Sequence, residues 1–219
     1  MNDIVPQYMM DLSGEDFINN FYLTSLDNCT TPDGELYYLP GPSDVHGIIY
    51  NKTMFEENGW EVPHSYTEFV ELIKTIDGTG KKVTEEIDGE AHEVMLRGIR
   101  PSIYFADSFQ IIFNTFAYDA VLRGVENRIW LNEYQNGKES MKGHMEPYAE
   151  TIKKLLNDGV VRLEDWDFMP RHRMPVLCNY HSAAMIIGPQ NTYSIFPTLK
   201  SDNEYAMMPL WTSDEPDSD

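Results

Sequence analysis

The sequence predicts an α/β fold, in which short buried strands alternate with amphipathic helices along the 219 residues. Short apolar runs at 46–50 and 182–187 have the length and composition of buried strands. Between them, apolar residues recur at helical spacing, most clearly after Pro63. Strands that are apolar throughout usually lie between layers of helices, so we expect a helix-covered sheet.

The first 45 residues contain only weak signals of regular structure. Ser13, with Asp16 three positions later, is a candidate helix N-cap. The turn sequence Thr-Pro-Asp-Gly at 31–34 precedes a predicted strand at 35–40. The strand predicted at 46–50 is more strongly indicated, because its centre is apolar and β-branched.

Two helices with capping-box spacing follow this strand. In the first, Thr53 and Glu56 predict the start and Gly59 predicts the end. In the second, Ser65 and Glu68 predict the start. The apolar residues of this second helix share one face: Tyr66, Phe69, Val70, Ile73 and Ile76. The polar stretch at 77–93 then predicts a loop or an exposed hairpin.

The rest of the chain continues the alternation. Pro147 suits the first turn of a helix that Gly159 ends. An apolar face predicts a buried helix at 107–122. Further strands are expected at 94–99, 127–132, 182–187 and 205–210, an irregular segment at 166–173, and a frayed acidic tail at 213–219.

The chain is strongly acidic, with 36 Asp and Glu residues against 16 Lys and Arg and a net charge of −20. Phosphate backbones and anionic lipids bind proteins through Lys and Arg, so binding of nucleic acid or of a membrane surface is disfavoured. No apolar run approaches the roughly 20 residues of a transmembrane helix. We expect no signal peptide in this sequence, which is therefore either cytoplasmic or part of a larger protein. Cys29 and Cys178 are either two buried thiols, which we favour, or one disulfide.

Patterns for catalysis and metal binding are weak. His172 and His181 lack metal-ligand spacing, and arginines flank the first of them, so no metal is expected. Asp165 and Asp167 are candidate carboxylates of a glycoside hydrolase, although solvated loop acids are the simpler interpretation. The sequence contains no nucleophile elbow, Walker loop or dinucleotide fingerprint. We predict no cofactor and no catalytic residue.

Polar and aromatic residues follow four of the predicted strands. In an open α/β sheet, ligands bind beyond the carboxyl ends of the strands. Asp44 could accept hydrogen bonds from sugar hydroxyls, and Tyr104, Phe105 or Trp211 could cover an apolar sugar face. The segments concerned are 40–44, 100–105, 188–191 and 209–211.

Several segments, in this order, resemble one known family. They are DGELYYLP at 33–40, GIIYNKTMFEENG at 47–59, PHSYTEF at 63–69, LLNDG at 155–159, AAMIIG at 183–188 and YAMMPL at 205–210. Together they make the chain similar, over roughly residues 10–211, to the family 1 extracellular solute-binding proteins of ABC importers, which include maltose-binding protein. The resemblance is to an internal fragment of such a protein.

The resemblance implies a periplasmic-binding-protein-like (type II) fold with two α/β lobes that close on a ligand, of which this chain is mostly the second lobe. Residues 1–43 would be a remnant of the first lobe with the first crossover, 44–207 the second lobe, and 208–219 the return crossover and acidic tail. With half of the clamp, the chain is expected to bind its ligand weakly or not at all.

The same resemblance implies where the ligand contacts lie. They would be Ser43 and Asp44 before the 46–50 strand, and Arg100, Ser102 and Tyr104 after the 94–99 strand. After the 182–187 strand they would be Gln190 and Asn191, where many sugar binders have a Trp. Trp211 is then the candidate aromatic platform.

The implied function is that of a substrate-binding component, which captures a mono- or oligosaccharide for import and performs no chemistry. Its partners would be the carbohydrate and the ABC permease subunits, with no nucleic acid and no membrane insertion. The full-length protein would be extracytoplasmic, as a cell-surface lipoprotein or in the periplasm. The alternatives are a glycoside hydrolase that uses acidic loop residues and a structural or adhesion fragment that binds no small molecule.

Overall fold

The computed structural model of the chain describes residues 5–27, 29–31, 33–41, 45–87, 90–100, 124–162, 181–190, 196–199 and 201–214. The α-helices in these ranges are α1 Val5–Tyr8, α2 Leu23–Asp27, α3 Lys52–Asn58, α4 Tyr66–Gly78, α5 Gly124–Gln135 and α6 Glu146–Asn157. The strands are β1 His46–Asn51, β2 Lys82–Ile87, β3 Glu90–Met95, β4 Arg97–Arg100, β5 Ala183–Pro189 and β6 Tyr205–Met208. Short 3-10 helices occur at Asp16–Asn20 and Phe196–Leu199. The segments predicted at 107–122 and 166–173 lie outside the described residues.

The chain divides into two compact units. The first unit combines Met1–Ser43 with Phe113–Glu150, and the second combines Asp44–Ile112 with Thr151–Asp219. The division at 1–43, 44–207 and 208–219 that the sequence suggested stays a prediction.

The second unit is built on a four-stranded mixed sheet in the order β4-β5-β1-β6. β5 runs parallel to β4 and antiparallel to β1, and β6 runs antiparallel to β1. Every residue of β5 is buried, as expected for an apolar strand with a neighbour on each side. The strands predicted at 46–50, 182–187 and 205–210 are therefore confirmed, each with small shifts at its ends.

Helix α4 packs against β4 with the apolar face that the sequence predicted. Its buried residues are Tyr66, Phe69, Val70, Ile73 and Ile76. Gly98 of β4 permits this packing, because a Cβ there would lie 2.8 Å from the Ile73 Cα. The Ser65 hydroxyl accepts a hydrogen bond from the Glu68 N–H at 3.2 Å, as predicted, and the Glu68 carboxylate accepts one from the His64 N–H at 2.8 Å.

Helix α3 is capped differently from the prediction. The Asn51 side chain accepts a hydrogen bond from the Met54 N–H at 2.9 Å, so Asn51 is the N-cap and the predicted pairing of Thr53 with Glu56 is wrong. The Thr53 hydroxyl instead accepts a hydrogen bond from the Glu204 N–H at 2.8 Å. Gly59 ends the helix with a φ of 67°, in the left-handed conformation that the sequence predicted.

The sequence predicted either a loop or an exposed hairpin for the polar stretch at 77–93. The structure shows a hairpin after α4. β2 and β3 pair in register from Lys82 with Met95 to Ile87 with Glu90. The strand predicted at 94–99 is interrupted at Leu96, whose N–H donates to the Lys81 carbonyl at 2.8 Å. The chain therefore changes from the hairpin to the main sheet at this residue.

Three predictions in the first unit are wrong. The Ser13 hydroxyl donates to Asp11 at 2.9 Å instead of capping a helix, and no side chain caps the 3-10 helix that follows. Residues 35–40 form no strand, because the Asp11 carboxylate accepts the Leu36 N–H at 2.9 Å and only an isolated bridge joins Leu36 to Thr30. The segment 127–132 lies within α5, where Trp130 and Tyr134 stack at the i, i+4 spacing of a helix.

Candidate functional site

One edge of the sheet in the second unit brings together described residues from three predicted site segments, and Val45, which directly follows the fourth segment at 40–44. β4 and β5 both end toward this edge because they are parallel, and β1 begins there with His46 opposite Pro189. β6 also ends toward it, with Met208 opposite Ile48. We define the candidate edge by the residues that flank these strand ends: Val45, Arg100, Gln190 and Pro209.

The backbone at the centre of the candidate edge is fixed by one hydrogen bond. The Gln190 N–H donates to the Val45 carbonyl at 2.7 Å, which extends the pairing of β1 and β5 by one step. The Gln190 side chain is exposed. Because its amide both donates and accepts, it is chemically suited to sugar hydroxyls, which also do both.

Two further predicted contact residues are described. Arg100 is only 4% exposed, and its Nη2 donates to the Met95 carbonyl at 3.4 Å, so its guanidinium is held largely inside the protein. Trp211 is half-buried and follows the end of β6 by three residues. Its Nε1 is buried without a hydrogen-bond acceptor among the described residues.

The remaining predicted contacts lie outside the described residues. These are Ser43, Asp44, Ser102, Tyr104 and Asn191. Their part in ligand binding stays a prediction, as does that of Arg100, Gln190 and Trp211.

The sequence did not predict the contacts that hold the chain just after Trp211. Both carboxylate oxygens of Asp214 bind Thr67, one accepting its backbone N–H and the other its hydroxyl, each at 2.7 Å. Lys154 Nζ donates to the Thr212 carbonyl at 3.3 Å. The tail was predicted to fray from residue 213, but up to Asp214 these contacts tie it to α4 and α6. Asp214 and Thr67 are 147 positions apart in the chain, so no local sequence pattern predicts this contact.

The electrostatics around this contact favour a charged Asp214 and a neutral Tyr66. The Thr67 hydroxyl, followed by the Thr67 N–H, holds the pKa of Asp214 below its ordinary value. Burial and a hydrogen bond to Asp158 raise the pKa of Tyr66, so its hydroxyl remains a donor to that carboxylate. Lys154 Nζ lies 3.6 Å from the centre of the Tyr66 ring, in a cation–π contact.

The first unit contains a cavity. It has a volume of about 550 Å³ and is lined by Ile18, Leu23, Leu26 and Leu36, together with Gly34 and the polar residues Ser13, Asp27 and Thr30. The Asp27 carboxylate is paired with Arg128, at 3.3 Å between Oδ1 and Nη2. The lining is thus mostly apolar, and the acid within it already has a counter-ion.

Metal binding and membrane crossing are not indicated in the part of the chain that the structure describes. It contains no group of three or more His, Cys, Asp and Glu side chains placed to hold a metal ion. His181 Nε2 lies 3.2 Å from Asn203 Oδ1, and His172 is outside the described residues. Within the same ranges, no helix combines the length and apolar character needed to span a bilayer.

Comparison with known proteins identifies one sequence relative and many structural ones. No family model matches the chain. A multiple sugar-binding protein of Streptococcus mutans is 33% identical over 69 residues, which is 32% of this chain and 16% of that protein.

The solved structures match nearly the whole chain. RafE from Streptococcus pneumoniae, in its apo form, is 17% identical with a TM-score of 0.64, over 95% of this chain and 49% of RafE. RafE in complex with raffinose is 18% identical with a TM-score of 0.57, over 97% and 52%. A family 1 extracellular solute-binding protein from Bifidobacterium longum subsp. infantis is 17% identical with a TM-score of 0.61, over 93% and 48%.

At such low identities, the structural matches establish the fold alone. The sequence relative is a sugar-binding protein. The chain covers about half the length of the solved relatives. The α/β fold predicted from the sequence is confirmed, and so is the family resemblance. The chain has the fold of the family 1 extracellular solute-binding proteins and spans about half of one.

Proposed function

We propose that this chain belongs to the substrate-binding component of an ABC transporter, which captures a mono- or oligosaccharide outside the membrane for import. The candidate edge, where four strand ends meet, is the observation that carries the proposal. It is supported by a sequence relative that is a sugar-binding protein and by a structural relative that was solved with raffinose.

The chemistry available near the candidate edge suits a carbohydrate. The exposed amide of Gln190 matches hydroxyl groups, and the half-buried Trp211 indole offers an apolar face. Ser43, Asp44, Ser102, Tyr104 and Asn191 are proposed as further contacts on the grounds of their sequence positions. Arg100 would act mainly by keeping the end of β4 in place, because it is almost entirely buried.

The partners that we propose are the carbohydrate and the ABC permease subunits, and the proposed location is outside the cytoplasm. A solute-binding component delivers its ligand to the permease subunits of the importer, so it acts outside the cytoplasmic membrane, in the periplasm or as a surface lipoprotein. One of the solved relatives is described as extracellular.

A binding function is favoured over hydrolysis because the relatives are binding proteins. Asp165 and Asp167, the candidate carboxylates of a hydrolase, lie outside the described residues. A purely structural or adhesion role is not favoured, because it gives no function to the exposed Gln190 amide at the candidate edge.

Titration of isotope-labelled protein with raffinose, followed by NMR, tests the proposal. We expect weak binding, with a Kd in the millimolar range, since the chain covers half of a solute-binding protein. The amide signals of Val45 and Gln190 and the indole signal of Trp211 should shift, and those of exposed first-unit residues such as Lys138 should not.

Product analysis of the same samples should recover intact raffinose. Trp211→Phe should weaken the shifts by replacing the indole with a smaller apolar face, whereas Trp130→Phe in the first unit should not. Cleavage of the sugar would establish the hydrolase instead. Absence of any shift with raffinose and with other oligosaccharides would overturn sugar binding by the candidate edge of this chain.

A further inference from the structure

The chain that follows β6, residues 209–214, is docked onto α4 and onto the part of α6 that belongs to the second unit. We call it the post-β6 segment. β6 itself is fixed by its pairing with β1, where Met208 lies opposite Ile48. Beyond Met208 this pairing ends, so other contacts must determine where the segment and its Trp211 side chain lie.

The first of these contacts is made by Asp214 at the start of α4. Ser65 is the N-cap of that helix, so the Thr67 N–H is one of the backbone donors that the helix leaves unpaired. Asp214 accepts this N–H with one oxygen and the Thr67 hydroxyl with the other, both at 2.7 Å. A bidentate carboxylate at a helix N-terminus defines both a position and an orientation.

The second contact is made by Lys154 on α6. Its ammonium group donates to the Thr212 carbonyl, the first carbonyl after Trp211, at 3.3 Å. The Lys154 side chain is itself placed by its contact with the Tyr66 ring. The Tyr66 hydroxyl is in turn bound by Asp158, so this ring has a defined position.

We infer that Asp214 and Lys154 are positioning residues that hold Trp211 for ligand binding by docking the post-β6 segment onto α4 and α6. In the chain, Trp211 lies three residues after Met208, which is paired with β1, and one residue before Thr212, whose carbonyl is bound by Lys154. A side chain held in this way loses little further freedom when a ligand stacks on it, whereas ordering a mobile side chain costs binding free energy. The inference rests on the proposed function for the ligand, but the docking itself can be tested without one.

Fluorine NMR of the chain labelled with fluorotryptophan provides the test. The four tryptophans give separate reporters, and Trp211→Phe assigns the signal of interest. Asp214→Ala and Lys154→Met should each shift and broaden the Trp211 signal and leave the other three unchanged. Asp202→Ala, which removes an exposed acid three residues before the start of β6, is the matched control and should change none of them.

A conservative variant separates positioning from general destabilisation. In Asp214→Asn, the amide oxygen can still accept the Thr67 N–H and the amide nitrogen can donate to the Thr67 hydroxyl. This variant should retain most of the native Trp211 signal. If Asp214→Ala leaves the Trp211 signal as unchanged as Asp202→Ala does, or if all four signals shift together, the positioning role is overturned.

Raffinose binding then distinguishes this inference from the proposed function. If raffinose binds, its Kd should rise roughly three- to tenfold in Asp214→Ala and recover in Asp214→Asn. An unchanged Kd in Asp214→Ala would overturn the role in ligand binding. If no sugar binds but the Trp211 signal moves as expected, the docking stands and the proposed function fails.

Discussion

The carboxylate of Asp77, near the end of α4, accepts a hydrogen bond from the backbone N–H of Gly98 in β4, with 2.8 Å between Oδ1 and N. Its other oxygen pairs with Arg162, which follows α6. Both side chains of this ion pair are mostly buried, at 15% and 16% exposed. One acid thus connects a helix, a strand and the segment that follows a second helix.

Asp77→Asn should destabilise the fold by about 2 to 3 kcal/mol. Asparagine keeps an acceptor for the Gly98 N–H but leaves the mostly buried guanidinium of Arg162 without its counter-charge. Urea unfolding followed by circular dichroism measures the change. Asp202→Asn, at an exposed position, should stay within about 0.5 kcal/mol of the parent chain. Equal midpoints for the two variants would contradict the prediction.

Gly98→Ala should cost roughly 1–3 kcal/mol through overpacking. The new Cβ would lie 2.8 Å from the Ile73 Cα and 3.0 Å from its carbonyl oxygen, and these are backbone atoms that cannot turn aside. Gly14→Ala is the matched control, because no atom lies within 4 Å of the Cβ position there. Thermal unfolding of both variants checks the prediction, and a Gly98→Ala chain as stable as Gly14→Ala would refute it.

Acid should release the post-β6 segment from α4. The pKa of Asp214 is held below its ordinary value of 3.8 by the Thr67 hydroxyl and N–H. Because the folded pKa is the lower one, the contact contributes fully above pH 3.8 and is lost as the pH falls through the folded pKa. Among the described residues, Lys154, Asp158, Tyr66 and Glu68 are further ionisable groups nearby.

The fluorine signal of Trp211, followed as the pH is lowered, measures this release. It should change only in the acid range, and Asp214→Asn should lack the transition because its amide does not titrate. A change near neutral pH, or the same acid transition in Asp214→Asn, would show that another group is responsible.

Cys29 should react slowly with thiol reagents in the native protein. The structure contains it as a free thiol that is only 6% exposed, and burial raises its pKa, which lowers the thiolate fraction. Cys178 is outside the described residues, so the measurement uses Cys178→Ser, in which Cys29 is the sole thiol. Modification should accelerate strongly in urea, and equal rates in native and unfolded protein would be evidence against burial.

The sequence predicted α4 well because the information was local. Five apolar residues on one face and a Ser–Glu start are enough to place a helix and the side that it buries. The cap of α3 was missed because Asn51 and Thr53 are both good cap residues within two positions. Thr53 does not cap the helix because its hydroxyl accepts a hydrogen bond from the backbone N–H of Glu204, a residue 151 positions later in the chain.

The meeting of the strand ends at one edge was predictable to a similar extent, whereas the ligand contacts there stay a prediction. The rule that ligands bind at strand ends indicated the four segments, and the antiparallel register of β1 and β6 explains why one strand contributes its beginning and the others their ends. The docking by Asp214 was not predictable, since an acid in a polar tail indicates solvent exposure until its partner on α4 is known.

The prediction of a strand at 127–132 was wrong because short apolar runs suit both a strand and the exposed helix α5.

The arrangement of the sheet has a consequence for how the protein is made. β1 is the first of its strands to leave the ribosome, but its two neighbours, β5 and β6, are the last of the described strands to be synthesised. At the usual rate of synthesis, Ile48 and Ile49 wait on the order of ten seconds for the strand that buries them. An unpaired apolar strand is a template for other chains. We therefore expect the nascent chain to need shielding of residues 46–51, and its yield to depend on translation speed and chaperone supply.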